Sequence, residues 1–153
     1  MKRIDVKLAV TVVAPLLDVI KDLAGDLGES LAAPLALHDL DADFRAAWSD
    51  ELLAAQKIEV SRLLGLFDDN FFREGVVAFD ADNAEVIVRA CAAIRLRLRA
   101  RALKPLADEV LEGGGADLLA VPDPLRKAFM CYLFLATLQE LIIQHLDESI
   151  LGS

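Results

Sequence analysis

The sequence predicts an all-α protein: a helical bundle around a central apolar C-terminal helix, with room for one small two-stranded ribbon. Three observations carry this. Apolar residues recur at three- and four-residue steps over several long stretches. Aspartates and a proline stand where those stretches would begin, at Asp41 or Asp43, at Asp80 and at Asp123-Pro124. The chain has 153 residues, 56% of them hydrophobic and 27% charged, so it collapses rather than staying disordered. That length supports a single helical domain over 1–153, with no internal repeat and no linker-like stretch.

The elements follow in chain order. Residues 2–8 alternate and suit a short strand. From Val12 to Ala24 the pattern is helical, with Leu16, Leu17, Ile20 and Leu23 on one stripe and Asp18, Lys21 and Asp22 opposite; Gly25 and Gly28 end it. The segment 29–39, with Pro34, reads as a loop or short turn. A helix over 42–67 places Phe44, Trp48, Leu52, Gln56, Val60, Leu63, Leu64 and Phe67 on its apolar side. Asp68-Asp69-Asn70 is a stop and turn signal. The β-prone run 75–79 can pair with residues 3–7. Asp80 would cap a helix over 81–103, which Pro105 breaks. A short continuation over 106–111 stops at Gly113-Gly114-Gly115. The last helix, 124–149, is apolar almost all round between Phe129 and Ile143, as expected of a buried central helix.

Charge and cysteine usage narrow the function classes. Sixteen basic against 25 acidic side chains give a net charge of −9, which repels a polyanion, so no nucleic-acid partner is expected. Cys91 and Cys131 are far apart, each in an apolar helical stretch, and read as free structural thiols. No CxxC or Cys/His cluster offers a metal site, and no cofactor is expected. Lys2 and Arg3 before the apolar run 8–17 imitate a secretion signal, but Asp5, Lys7 and Pro15 interrupt it. The apolar stretch 128–138 falls short of the roughly 20 residues a bilayer requires. The expectation is a cytoplasmic protein with no membrane partner.

Several patterns invite a chemical reading. Arg89, Arg95, Arg97, Arg99, Arg101 and Lys104 place six of the sixteen basic residues in one helix segment, with no acid between Glu85 and Asp108. Arg95 and Arg99 share one face, and Arg97 and Arg101 nearly the opposite one. Arg95, Arg99 and Arg101 are therefore candidates for holding an anion; pairing with acids of the surface is the simpler reading. Asp39, Asp41 and Asp43, with Asp50 further on, have the rhythm of a calcium loop, but Phe44 stands where that loop needs glycine. Helix capping explains them. His38 and His145 are isolated, and no second carboxylate-x-x-His pair exists for a di-metal bundle. Glu140 is the sole charge between Lys127 and Asp147, in the most apolar helix. A buried acid needs a partner. Arg95, itself among apolar residues, is the best one, with Gln139 able to add hydrogen bonds. The expectation is a buried structural ion pair between Arg95 and Glu140. In the alternative, Glu140 faces solvent on a thin polar stripe with Gln139 and Gln144.

Three motif groups carry a resemblance: Phe44-Arg45 with Asp50-Glu51-Leu52; Arg95-Leu96-x-Leu98-x-x-Arg101; and Leu135-x-x-Leu138-Gln139-Glu140. Together they resemble a bacterial family of unknown function (domain of unknown function twenty-seventeen), over roughly residues 44–146. Arg99 stands where that family's pattern has Gly, and Thr137 where it has Trp. The resemblance implies a small helical protein without an assigned activity. Some genes of that family neighbour a protease-adaptor gene, which implies a link to regulated proteolysis.

Two function classes remain. The first is a non-enzymatic interaction or regulatory module, a homodimer or a binder of another protein, because the helices carry more apolar residues than one small bundle buries. Phe67, Phe71, Phe72 and Trp48 are its candidate interface aromatics, with core packing as the competing role for each. The second is an anion or small-ligand binding protein, or an enzyme, using the arginine-rich segment 89–104.

Overall fold

The computed structural model of the protein describes residues 3–32, 41–106 and 121–150, the last five by backbone alone. The chain starts as a strand, β1 (Arg3–Lys7), and continues into helix α1 (Val10–Leu27). Helix α2 (Ala42–Gly65), a short helix α3 (Asp69–Glu74) and strand β2 (Val76–Asp80) follow. Helices α4 (Ala84–Ala100) and α5 (Asp123–Ile150) complete the described chain. The fold is mostly helical with one small antiparallel ribbon, as the periodicity predicts. The predicted loop over 33–39 and the stretch 107–115, with its three glycines, lie outside the described residues, as does His38.

The ribbon pairs Ile4 with Phe79 and Val6 with Val77. Alternation along β2 turns Val77 and Phe79 into the core. A two-stranded ribbon is marginal alone; here α5 packs on β1 and α3 on β2. Its entry depends on Gly75, which caps α3 in the left-handed region at φ 71°. The Leu8 amide donates to the Gly75 carbonyl at 2.7 Å, and a Cβ on Gly75 would stand 2.9 Å from the Leu8 carbonyl oxygen. Only glycine fits both the conformation and the approach.

Helix boundaries differ from expectation in physically readable ways. Helix α1 runs past Gly25 to Leu27, because the intact backbone ladder and burial of Leu27 outweigh one glycine's entropy. Asp68 does not only stop α2: its side chain accepts from the Phe71 amide and starts α3, sinking Phe71 into the core. Asp80 does not cap α4. Its carboxylate accepts from the Asp82 and Asn83 amides in a turn, and α4 begins at Ala84. At the other end α4 stops at Ala100, ahead of Pro105. The Leu103 amide reaches back to the Leu98 carbonyl at 2.8 Å and carries the Leu103 side chain inward.

Helix α2 is the largest departure. Asp41 caps it by accepting from the Phe44 amide, as expected. The predicted apolar stripe is buried only from Gln56 onward, at Gln56, Val60 and Leu63 and, just past the helix, Phe67. Residues 42–55 contain no buried side chain.

The core lies where α4 packs on α1, α2 and α5. Ile87, Ala90, Cys91, Ile94 and Leu98 of α4 meet a layer that includes Ile20, Leu63, Phe129, Tyr132, Leu135 and Leu138. By length and composition, α5 over Asp123–His145 would suffice to cross a membrane, longer than the short apolar run suggested. In the fold, 39% of its most apolar stretch is buried inside the molecule, on the face that meets α4 and α1.

Candidate functional site

The arginines of α4 separate by helical geometry, since successive residues turn by about 100°. Arg97 points inward and is 4% exposed. Its Nη1 meets the Asp26 carboxylate at 2.5 Å, and its Nη2 donates to the Ser30 carbonyl, the Ser30 hydroxyl and the Leu31 carbonyl, each at 3.0 Å. Arg101 joins Asp26 at 3.1 Å. Opposite them, buried Gln56 donates from Nε2 to the Leu27 and Ser30 carbonyls and accepts from the Ala32 amide. These groups satisfy the Leu27 carbonyl at the end of α1 and the Ser30 and Leu31 carbonyls of the segment that follows it. They form a structural clamp.

Arg95 lies on another face. Its guanidinium carbon stands 4.4 Å from the Tyr132 ring centroid, a stacked cation–π contact. Nη1 donates to Gln139 Oε1 at 2.7 Å, and Gln139 Nε2 donates in turn to the Val88 carbonyl at 3.0 Å. The amide is thereby oriented with its oxygen toward the arginine. Arg95 Nε is buried and makes no hydrogen bond.

The expected Arg95–Glu140 buried ion pair is corrected by this geometry. Glu140 is exposed, and its carboxylate accepts from Gln144 Nε2 at 3.2 Å. One residue's rotation along α5 turns Gln139 toward α4 and Glu140 outward. A neutral amide against the arginine avoids the desolvation of a second charge.

Ala92, Arg95, Leu96, Arg99 and Tyr132 line an open groove of about 300 Å³ along α4 and α5. Of the three candidate anion-binding residues, the groove brings Arg95 and Arg99 together. Arg101 is elsewhere, on Asp26. Tyr132 and Gln139 shape this site. Tyr132 is the chain's one tyrosine and falls in the predicted core helix, yet its ring supports a cation; no sequence pattern marked that role.

Arg89 and the two cysteines serve the packing of the helices. Arg89 bridges Glu59 of α2 and Glu85 of its own helix, and the Glu59 hydrogen bond raises its pKa. Cys91 and Cys131 are free and buried, and burial pushes both thiols up to about 12. Among the described residues no group of three or more His, Cys, Asp or Glu could hold a metal ion. His145 is exposed.

Two apolar surfaces complete the picture. On α2, Phe44 and Trp48 are 51% and 41% exposed and meet edge to face with centroids 5.7 Å apart. Phe72 is also exposed, whereas Phe67 and Phe71 belong to the core. On α5, the outward side carries exposed Met130 and Thr137 and half-buried Leu133, Phe134 and Leu141, with Glu140 as its one charge; Leu133 and Phe134 also pack against the core, Phe134 near the Phe67 ring. Comparison with family models, with curated proteins and with solved structures returns no match.

Proposed function

We propose that the protein is a cytoplasmic interaction module that pairs with a second copy of itself through the outer face of α5. One observation carries this reading. From Met130 to Leu141 that face is apolar or neutral except for Glu140, while the chain as a whole carries −9. Two such acidic copies repel each other across most of their surface. A nearly uncharged helix face is where they can meet, and a two-fold pairing is the commonest closed arrangement. The resemblance to the bacterial family of unknown function fits a helical protein with this kind of role and adds no activity to it.

The exposed Phe44–Trp48 pair favours a further reading of the same module. Glu51 lines the same groove as both rings, and along the sequence Asp41, Asp43 and Asp50 flank the pair against Arg45 alone. An exposed aromatic pair on an acidic stretch of helix suits a partner segment with an apolar face and basic flanks.

Light scattering tests the self-association. The full chain should run at twice its chain mass at roughly tens of micromolar. Met130→Glu with Thr137→Glu, both at exposed positions, should leave the circular dichroism intact and return the protein to one chain mass. A monomeric wild type, or a double variant that stays dimeric, overturns the reading.

A further inference from the structure

We infer that the groove between α4 and α5 binds a small aliphatic monocarboxylate, with its carboxylate on Arg95 and its chain along Leu96 and Ala92. This inference is independent of how the chain associates.

The argument begins with charge. Among the described residues, those lining the groove include Arg95 and Arg99 and no acid. Arg95 has no carboxylate partner among the described residues; its one hydrogen bond goes to a neutral amide. In a chain with a clear excess of acids, an arginine with a buried Nε and no carboxylate partner among the described residues is unusual. It is also held in place. The Tyr132 ring supports one face of the guanidinium, and Gln139, itself anchored on the Val88 carbonyl, fixes Nη1. Such support lowers the entropy lost when a ligand docks.

The ligand class follows from geometry and field. With a face of the guanidinium stacked on Tyr132, an incoming anion meets its edge, which matches a planar carboxylate. The walls beside it, Ala92 and the 44% exposed Leu96, are aliphatic and suit a hydrocarbon chain. A volume of about 300 Å³ suits a small molecule. The net charge of −9 disfavours multiply charged phosphates and favours a single negative charge.

Titration calorimetry of the full chain against hexanoate, hexanamide and inorganic phosphate tests this. Hexanoate should bind with a Kd of about one millimolar or tighter, and the neutral amide and phosphate roughly tenfold or more weaker. Arg95→Gln should weaken hexanoate binding roughly tenfold or more. Leu96→Asp, a surface change that sets a fixed carboxylate beside Arg95, should do the same while the fold stays intact. Arg101→Gln should change binding less than about twofold, because Arg101 lies on Asp26. No binding of hexanoate at roughly ten millimolar overturns the proposal. So does binding of hexanamide or phosphate as tight as that of hexanoate, or unweakened hexanoate binding by a folded Leu96→Asp variant.

Discussion

Arg97 and Gln56 donate to the same acceptor: Arg97 Nη2 and Gln56 Nε2 each lie 3.0 Å from the Ser30 carbonyl oxygen. One side chain comes from α4 and the other from α2, so the chain leaving α1 is gripped by both helices. Each donor also holds a further carbonyl of the same segment, Leu31 for Arg97 and Leu27 for Gln56. Here a buried charge serves folding, and it is compensated by Asp26 and three neutral acceptors.

Replacing Arg97 by Met should destabilise the protein by about 3 kcal/mol, because the Leu31 carbonyl loses its donor, the Ser30 carbonyl keeps only Gln56 and the Asp26 carboxylate keeps only Arg101. Urea unfolding measures this. A loss below about 1 kcal/mol would mean that water replaces the arginine without penalty.

Glu140→Ala should change stability by less than about 0.5 kcal/mol, as expected for an exposed side chain whose one hydrogen bond is to Gln144. In a double-mutant cycle its coupling to Arg95 should be near zero. A coupling above about 1 kcal/mol would restore the ion pair that the geometry replaces.

Gly75→Ala should destabilise by about 2 kcal/mol. The left-handed conformation alone costs a non-glycine residue about 1–2 kcal/mol. The added Cβ also presses on the Leu8 carbonyl, 2.9 Å away, and loosens the strand entry. Thermal unfolding followed by circular dichroism reads the loss, and unchanged stability would show that β1 can shift at little cost.

The thiols give a pH dependence with a definite sign. Burial raises Cys91 and Cys131 from an ordinary value of 9.0 to about 12, so the folded state keeps protons that the unfolded state releases. Their contribution is therefore complete below about pH 9 and is lost as the pH rises toward 12. At pH 8 both should resist alkylation in the folded protein and react after denaturation. Rapid alkylation of the native chain would show that the α4–α5 contact opens.

Much of the helical architecture was legible because it rests on local signals. The heptad-like spacing of α4 and α5, the Asp41 cap and the alternation of Val77 and Phe79 each act within a few residues. Short elements were less legible. Helix α3 is six residues long, and its aspartates signal a turn and a helix start equally well. Of the candidate site, the grouping of Arg95 with Arg99 on one face was legible from spacing. The role of Tyr132 was not, because a ring in a core stripe looks the same whether it packs against leucine or supports a cation.

By itself, then, the sequence determined the long helices, the ribbon's partners and the basic segment, since backbone propensity and side-chain periodicity operate locally. Only the tertiary structure decided which charges are buried. Arg97 lies inward because α1 ends beside it with unpaired carbonyls and Asp26, and Arg95 meets Gln139 rather than Glu140 because α5 docks in one rotational setting on α4. That setting is chosen by the burial of Phe129, Leu135, Leu138 and Ile142 together. A sum of apolar contacts spread over the whole interface outweighs one ion pair and fixes the rotation to within less than one residue's turn.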